Sequence, residues 1–218
     1  MTISTQLGSA TTPARPVAQA CRLRTIIVAS LAAVAVGLSA TGGYSETGPA
    51  DDAARVAAAR AASKELGEKL KAQLVAAIAS GGAVAAIPVC KTIAPQIGGD
   101  ISKAHGFEIR RTSLKVRNPT NAPDAFEQRV LADFAQKLAA GADPMTIEHS
   151  EVVSDAGKKT FRYMKAIPTA AEPCLACHGG ALKDDVKAEI AKLYPSDMAT
   201  GFKAGELRGA FSVRQAIK

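Results

Sequence analysis

The stretch "EPCLACHGG" at residues 172–180 constrains this chain more than any other. Two residues separate Cys174 from Cys177, and His178 follows the second thiol directly. Two thiols on one turn of chain can reach the two vinyl groups of one porphyrin, and the next side chain, an imidazole, then points at the iron. The spacing predicts covalent attachment of one haem c, with His178 as an axial ligand of the iron.

Two other kinds of site share part of this pattern. A thioredoxin-like cysteine pair belongs in a βαβ setting, and a histidine is not expected directly after it. A structural zinc site needs four ligands, commonly two such pairs, and this chain has one pair. Gly179 and Gly180 either let the backbone turn away close to the porphyrin or form a plain loop.

The N-terminal residues resemble an export signal. The first 42 residues contain arginines and no acidic residue, and "TIIVASLAAVAVGLSA" at 25–40 is an apolar run of 16 residues. A membrane span needs about 20 such residues, and Ala40-Thr41-Gly42 is an acceptable cleavage site. We therefore expect a signal peptide at 1–42, a linker at 43–50, a mature domain at 51–218 and a periplasmic location. The alternative is an uncleaved membrane anchor at 25–40.

Cysteine counting leaves one thiol over. The chain has four cysteines. Cys21 lies in the predicted signal, and haem attachment uses Cys174 and Cys177. A leftover Cys90 in an exported protein needs an explanation, because the compartment favours oxidation.

Composition indicates a globular chain that is not expected to bind nucleic acid. The sequence is 47% hydrophobic, has no tryptophan and carries a formal net charge of +7. No block of lysine and arginine with interleaved aromatic residues occurs, so we do not predict a nucleic-acid partner.

The N-terminal half of the mature domain reads as helical. Leu66, Leu70, Leu74 and Ile78 recur every four residues, which predicts a long helix at 51–80 that ends at Gly81-Gly82. We expect only short helical pieces at 83–104, broken at Pro88, Pro95 and Gly98-Gly99.

The C-terminal half reads mostly as strands. Residues 107–118 are predicted to be extended and 118–124 to form a turn. Asp155-Ala156-Gly157 has the composition of a hairpin turn. The remaining predictions are helices at 124–140 and 182–193 and strands at 146–153, 158–167 and 206–215. This order predicts an α+β fold with helices packed on an antiparallel sheet, unlike a small, nearly all-helical cytochrome c.

The second axial ligand is not decided by the residues alone. The candidates are Cys90, His105, His149, Met145, Met164 and Met198. Met164 fits a core position in a strand, His149 fits a surface position near two glutamates, and His105 fits a helix end. Met198 lies in a loop, and Cys90 has an apolar setting that also suits a buried structural cysteine. On the residues alone, Cys90 and an open or otherwise occupied second axial position are equally good interpretations.

Five stretches resemble a family of exported or membrane-tethered PAS-like haem domains, long labelled as a domain of unknown function. They are "AAIPVCKTIAPQI" (85–97), "RRTSLKVRNPTNAPDAFE" (110–127), "EPCLACHG" (172–179), "YPSDMATGF" (194–202) and "GELRGAFSV" (205–213). The family includes a soluble cyanobacterial c-type haem protein and sensor portions of some bacterial histidine kinases. The matching region covers essentially all of residues 55–218.

The resemblance implies a PAS-like fold and a haem with one cysteine and one histidine axial ligand. Those ligands correspond to Cys90 and His178. The chain departs from the family at Phe126, where tryptophan is expected, and at Met198, where lysine is usual. Neither departure touches the ligands.

A polar cluster offers binding groups for the haem propionates. Arg110, Arg111, Arg117 and Asn118 lie close together in sequence, and guanidinium groups fit carboxylates. Alternate arginines on a strand can also simply face solvent.

The main functional hypothesis is a redox or gas sensor that binds CO or NO after reduction and signals to a separate protein. The alternative is a periplasmic single-haem electron carrier, which a stand-alone domain favours. An enzyme acting on peroxide is not expected, because a six-coordinate iron leaves no open site and no distal acid–base pair is apparent. The long N-terminal helix either pairs with a second copy in a homodimer or packs on its own sheet.

Overall fold

The computed structural model describes residues 48–217. The predicted signal peptide, its cleavage site and anchor alternative, Cys21 and most of the linker lie outside the described residues. The described part consists of helices and one four-stranded antiparallel sheet, so the α+β prediction is confirmed.

The sheet has the strand order β1-β4-β3-β2. The strands are β1 (Glu108–Thr112), β2 (Glu148–Asp155), β3 (Lys158–Pro168) and β4 (Leu207–Ile217), and all three pairings are antiparallel. The predicted hairpin joins β2 to β3, with Asp155 opposite Lys158. Its two turn residues, Ala156 and Gly157, have φ values of 47° and 77°, as the tightest hairpin loops require.

The extended segment predicted at 107–118 is strand only up to Thr112. The chain leaves the sheet at Ser113, whose amide donates to the carbonyl oxygen of Asn121 (3.3 Å) and whose hydroxyl donates to that of Arg208 (2.7 Å). These bonds replace ladder bonds, so β1 ends there. A short 3-10 turn, Pro119–Asn121, follows within the predicted turn region.

The first helix, α1 (Pro49–His105), is broken at Gly81 and Gly82, where the backbone is not helical. The predicted end of the first helix is therefore confirmed as a break between an N-terminal arm (49–80) and a C-terminal arm (83–105). The prediction of short broken pieces at 83–104 was wrong, because the C-terminal arm continues through both prolines. Its buried face, formed by residues such as Ala86, Ile87 and Ile101, offsets the hydrogen bonds that the prolines cannot make.

The two faces of the sheet are covered by different helices. On one face, both arms of α1 bury Leu66 and Ile101 against Tyr163 and Val213. On the other face, α2 (Ala125–Ala139) buries Phe134 against the sheet. By length and composition α1 could cross a membrane, and 17% of its most apolar 18-residue window is buried. The predicted leucine stripe is most deeply buried at Leu66, which is 1% exposed.

Two further helices follow β3. They are α3 (Leu175–His178), a single turn, and α4 (Asp184–Leu193), close to the predicted 182–193. Val186 and Ile190 of α4 pack with Ile87 of the C-terminal arm and with Tyr194. This third cluster brings the arm that carries Cys90 against the segment that carries the cysteine pair.

Candidate functional site

The cysteine pair and His178 lie on one helical turn. The amides of Cys177 and His178 both donate to the carbonyl oxygen of Cys174, at 3.2 and 2.9 Å. Residues three apart on a helix project from the same side, so Cys174 and Cys177 face the same direction. Both are half-buried free thiols. A Cβ at Gly179 would lie 2.6 Å from the carbonyl oxygen of Leu175, so the chain leaves this turn by a path that needs glycine.

The imidazole of His178 is oriented by a backbone group. Its Nδ1 lies 2.7 Å from the carbonyl oxygen of Ala199, which can only accept a hydrogen bond, so Nδ1 carries the hydrogen. The neutral ring then has Nε2 available as a lone-pair donor. Burial lowers the pKa of His178 to about 2, and the charges of Arg208 and Arg117 add to this shift. The ring is therefore neutral, as a metal ligand must be.

Arg117 holds the turn that carries Cys174, Cys177 and His178 in place. Its Nη2 donates to the carbonyl oxygens of Cys177 (2.6 Å) and Ala199 (3.2 Å), and its Nε donates to Asp197 (3.0 Å). The guanidinium group thus joins the cysteine turn to the loop whose carbonyl orients His178. Because these contacts already occupy the group, they favour a positioning role over the predicted propionate contact.

Cys90 lies in the arm of α1 that packs on the same region. The Sγ of Cys177 is 3.9 Å from the carbonyl oxygen of Ala83, and Cys177 packs with the Ile87 cluster. Burial raises the pKa of the Cys177 thiol, and Cys90 and Cys174 add to the rise while Arg117 opposes it.

A cavity of about 230 Å³ adjoins Cys90. Arg110, Arg111 and Asn118 also line it. The guanidinium group of Arg110 is paired with the buried carboxylate of Glu127, and the side chain of Asn118 accepts from the amide of Thr120 (3.1 Å). The side chain of Arg111 has no hydrogen bond or ion pair among residues 48–217.

The Tll0287-like family profile, described as Tll0287, matches residues 43–216. The chain belongs to the Tll0287-like family. Among solved structures, the chain is similar to the cyanobacterial heme-protein Tll0287, with 25% sequence identity and a TM-score of 0.53. The alignment covers 78% of this chain and 98% of that one. Among curated proteins none matches.

In this Tll0287-like chain, the other candidate ligands have different surroundings. Met164 is fully buried in the α2 core, as predicted, while Met145 and Met198 are 70% and 60% exposed. The Nε2 atoms of His105 and His149 lie 3.4 and 3.1 Å from carboxylate oxygens of Glu65 and Glu151. These contacts match the helix-end and surface positions predicted for the two histidines.

Sequence reasoning missed two side chains beside the site. The hydroxyl of Tyr194 is buried without a partner in the described part of the chain. Burial raises its pKa to about 12, and the neighbouring Cys90 adds to this. Arg208 is the other, and its positive charge contributes to the lowered pKa of His178. Only the fold shows these two positions, because neither belongs to the cysteine motif.

The donor set fits a covalently attached haem. Two free thiols lie on one turn, a neutral imidazole has Nε2 available, and a third thiol lies on the arm that packs against them. The unpartnered hydroxyl of Tyr194 costs roughly 1–3 kcal/mol when buried. Among residues 48–217, no three or more His, Cys, Asp or Glu side chains form a metal cluster.

Proposed function

We propose that this chain is an exported PAS-like protein that holds one c-type haem through thioether bonds to Cys174 and Cys177. The proposed axial ligands are His178 and Cys90, and the proposed role is that of a redox or gas sensor domain. The observation that carries the proposal is the packing of the Cys90 arm of α1 against the cysteine turn. The similarity of the chain to a cyanobacterial haem protein supports it.

The chain's own residues have distinct roles in this proposal. The carbonyl of Ala199 holds the tautomer of His178 that presents Nε2, and Arg117 keeps that carbonyl next to the turn. Cys90 would supply a thiolate, whose donated charge lowers the reduction potential. A bound haem supplies one-electron redox chemistry and a coordination position for CO or NO.

The sensor role follows from where Cys90 lies. It sits eight residues after the break at Gly82, on an arm whose attachment to the site would depend partly on the Cys90–iron bond. Loss of this bond on reduction or protonation would release that part of α1 and open a position for a gas. The released segment would then contact a separate signalling protein.

The attachment is tested on the protein purified from a host that attaches haem c. We expect a pyridine haemochrome spectrum typical of two thioether bonds, lost when Cys174→Ser and Cys177→Ser are combined. Covalent haem that persists in the double variant would overturn the attachment. Cys21→Ser is the matched control, because that cysteine belongs to the predicted signal.

The ligand assignment is tested by electron paramagnetic resonance of the ferric protein. We expect a low-spin thiolate signal that disappears in Cys90→Ala and persists in Met198→Ala, the exposed control. A thiolate signal unchanged in Cys90→Ala would contradict the assignment.

A redox titration separates the sensor from the alternative electron carrier. A strongly negative midpoint potential with reversible CO or NO binding after reduction supports the sensor. A positive midpoint, fast exchange with cytochromes and no CO binding would favour a periplasmic carrier instead.

A further inference from the structure

Arg208 occupies an irregular position in the sheet. The register of β3 and β4 shifts so that Ile167 pairs with Gly209 and Pro168 with Leu207, which leaves Arg208 without a partner across the ladder. Such bulges re-aim a side chain. The guanidinium carbon lies 5.3 Å from the ring centroid of Phe202, and that ring meets the His178 ring edge-on at 6.2 Å. The bulge therefore places a positive charge one aromatic ring away from His178.

The charge of Arg208 has no carboxylate partner in the described part of the chain. Its Nη1 donates to two neutral groups, the hydroxyl of Ser113 (3.1 Å) and the carbonyl oxygen of Lys115 (3.4 Å). Burial lowers the pKa of Arg208 to about 10, and the charges of Arg117 and Arg111 add to this. Asp197, the nearby acid, is already bound by Arg117. A charge that is withdrawn from water is normally paired, so the half-buried Arg208 lacks the negative charge expected beside it.

Arg111 is a second cation of the same kind. Alternation along β1 places Arg111 on the same face as Ile109, which packs against α1, and Arg111 lines the cavity beside Cys90. Arg110, its neighbour, points to the opposite face and pairs with Glu127. Two half-buried guanidinium groups, Arg111 and Arg208, thus lie near Cys90 and His178 without a carboxylate partner among residues 48–217.

We propose that Arg208 and Arg111 form a carboxylate-binding pair that holds the two haem propionates. This inference rests on the proposed haem. Of the predicted propionate candidates Arg110, Arg111, Arg117 and Asn118 it keeps Arg111, and it adds Arg208, because the charges of these two arginines are uncompensated. Guanidinium groups bind carboxylates through paired, charge-assisted hydrogen bonds. Two propionates supply the two negative charges that the site lacks.

The test uses resonance Raman spectra of the haem-loaded full chain, because the propionate bending band reports hydrogen bonding to the carboxylates. We expect the band to shift to lower frequency in Arg208→Gln and Arg111→Gln and to shift furthest in the double variant. Arg208→Lys, which keeps the charge but loses the fork, should shift it less. Arg214→Gln is the matched control. Arg214 lies exposed on the same strand, opposite Glu108 in the register of β1 and β4 and on the other face of the sheet from Arg111. The propionate band of this variant should not move.

The outcomes distinguish this inference from the proposed function. An unchanged band in every arginine variant that carries attached haem would overturn the arginine pair and leave the haem assignment intact. A wild-type protein without attached haem would overturn both. Should Arg208→Gln fail to fold, Arg208→Lys and Arg111→Gln decide the question alone, and an unchanged band in both would still refute the pair.

Discussion

Arg117 and Asp197 form a buried ion pair, with Nε 3.0 Å from Oδ1 and side chains that are 8% and 9% exposed. The same carboxylate oxygen accepts from the amide of Ala199 at 3.0 Å. The pair therefore ties the loop that orients His178 to the cysteine turn, and the geometry of the imidazole depends on it.

Arg117→Gln should strongly destabilise the protein. Removal of one partner leaves the other charge buried and unpaired, which costs about 3–5 kcal/mol. Lys64→Gln is the control, because it removes an exposed pair with Glu68 worth less than about 1 kcal/mol. Urea unfolding of both variants in the same haem-loading state measures the difference. A loss from Arg117→Gln no larger than that from Lys64→Gln would contradict the role.

Local patterns in the sequence predict candidate site residues, but they do not predict long-range contacts of those residues. Cys174, Cys177 and His178 follow from local spacing, because one helical turn is a local structure. Arg117 was one of four predicted propionate candidates, and its partners in the fold lie 60 to 82 residues away in sequence. Contacts over such separations are set by the fold, so the sequence could not show that this guanidinium group is already occupied.

Gly209→Ala should also be strongly destabilising. A Cβ at this position would lie 2.3 Å from the carbonyl oxygen of Thr112, and backbone cannot move aside cheaply where β1 and β4 are paired. We expect a lower thermal unfolding temperature and a disturbed Arg208 bulge. Gly99→Ala is the control, because its Cβ would meet nothing within 4 Å. In a helix this change typically stabilises by roughly 0.5–1 kcal/mol. Equal effects of the two substitutions would refute the argument.

The stability of the fold should fall in acid partly through Glu148. The hydrogen bond from Arg60 holds the pKa of Glu148 below its ordinary value of 4.5, against the opposing effect of burial. Because the folded-state pKa is depressed, this stabilisation is complete above pH 4.5 and is lost as the pH falls through the folded-state pKa.

Glu148→Gln tests this pH dependence. The variant should be less stable than the wild type at neutral pH, and the two unfolding temperatures should converge as the pH falls below 4.5 and through the folded-state pKa of Glu148. Glu68→Gln, an exposed carboxylate in an i,i+4 pair, is the control and should give a curve nearly parallel to the wild type. A constant gap between the wild type and Glu148→Gln at all these pH values would exclude the effect.

The fold was predictable where the signals were local. The Asp155-Ala156-Gly157 hairpin follows from turn chemistry. The start of α2 has a capping box between Asp124 and Glu127. The C-terminal arm of α1 was missed because its prolines indicate breaks, and its burial against α4 could not be seen from the sequence. Burial of a whole face outweighed the local penalty, as tertiary packing often does for helices.

Cys90→Met should raise the midpoint potential of the haem-loaded protein. A thiolate donates negative charge and favours ferric iron, whereas a thioether ligand is neutral and raises the potential. The cavity of about 230 Å³ beside Cys90 gives the longer side chain room. Haem attachment should be unaffected, because Cys174 and Cys177 remain. A redox titration against the wild type and Met198→Leu, an exposed control that should not change, measures the shift. An unchanged or lower midpoint in Cys90→Met would show that Cys90 is not the thiolate ligand.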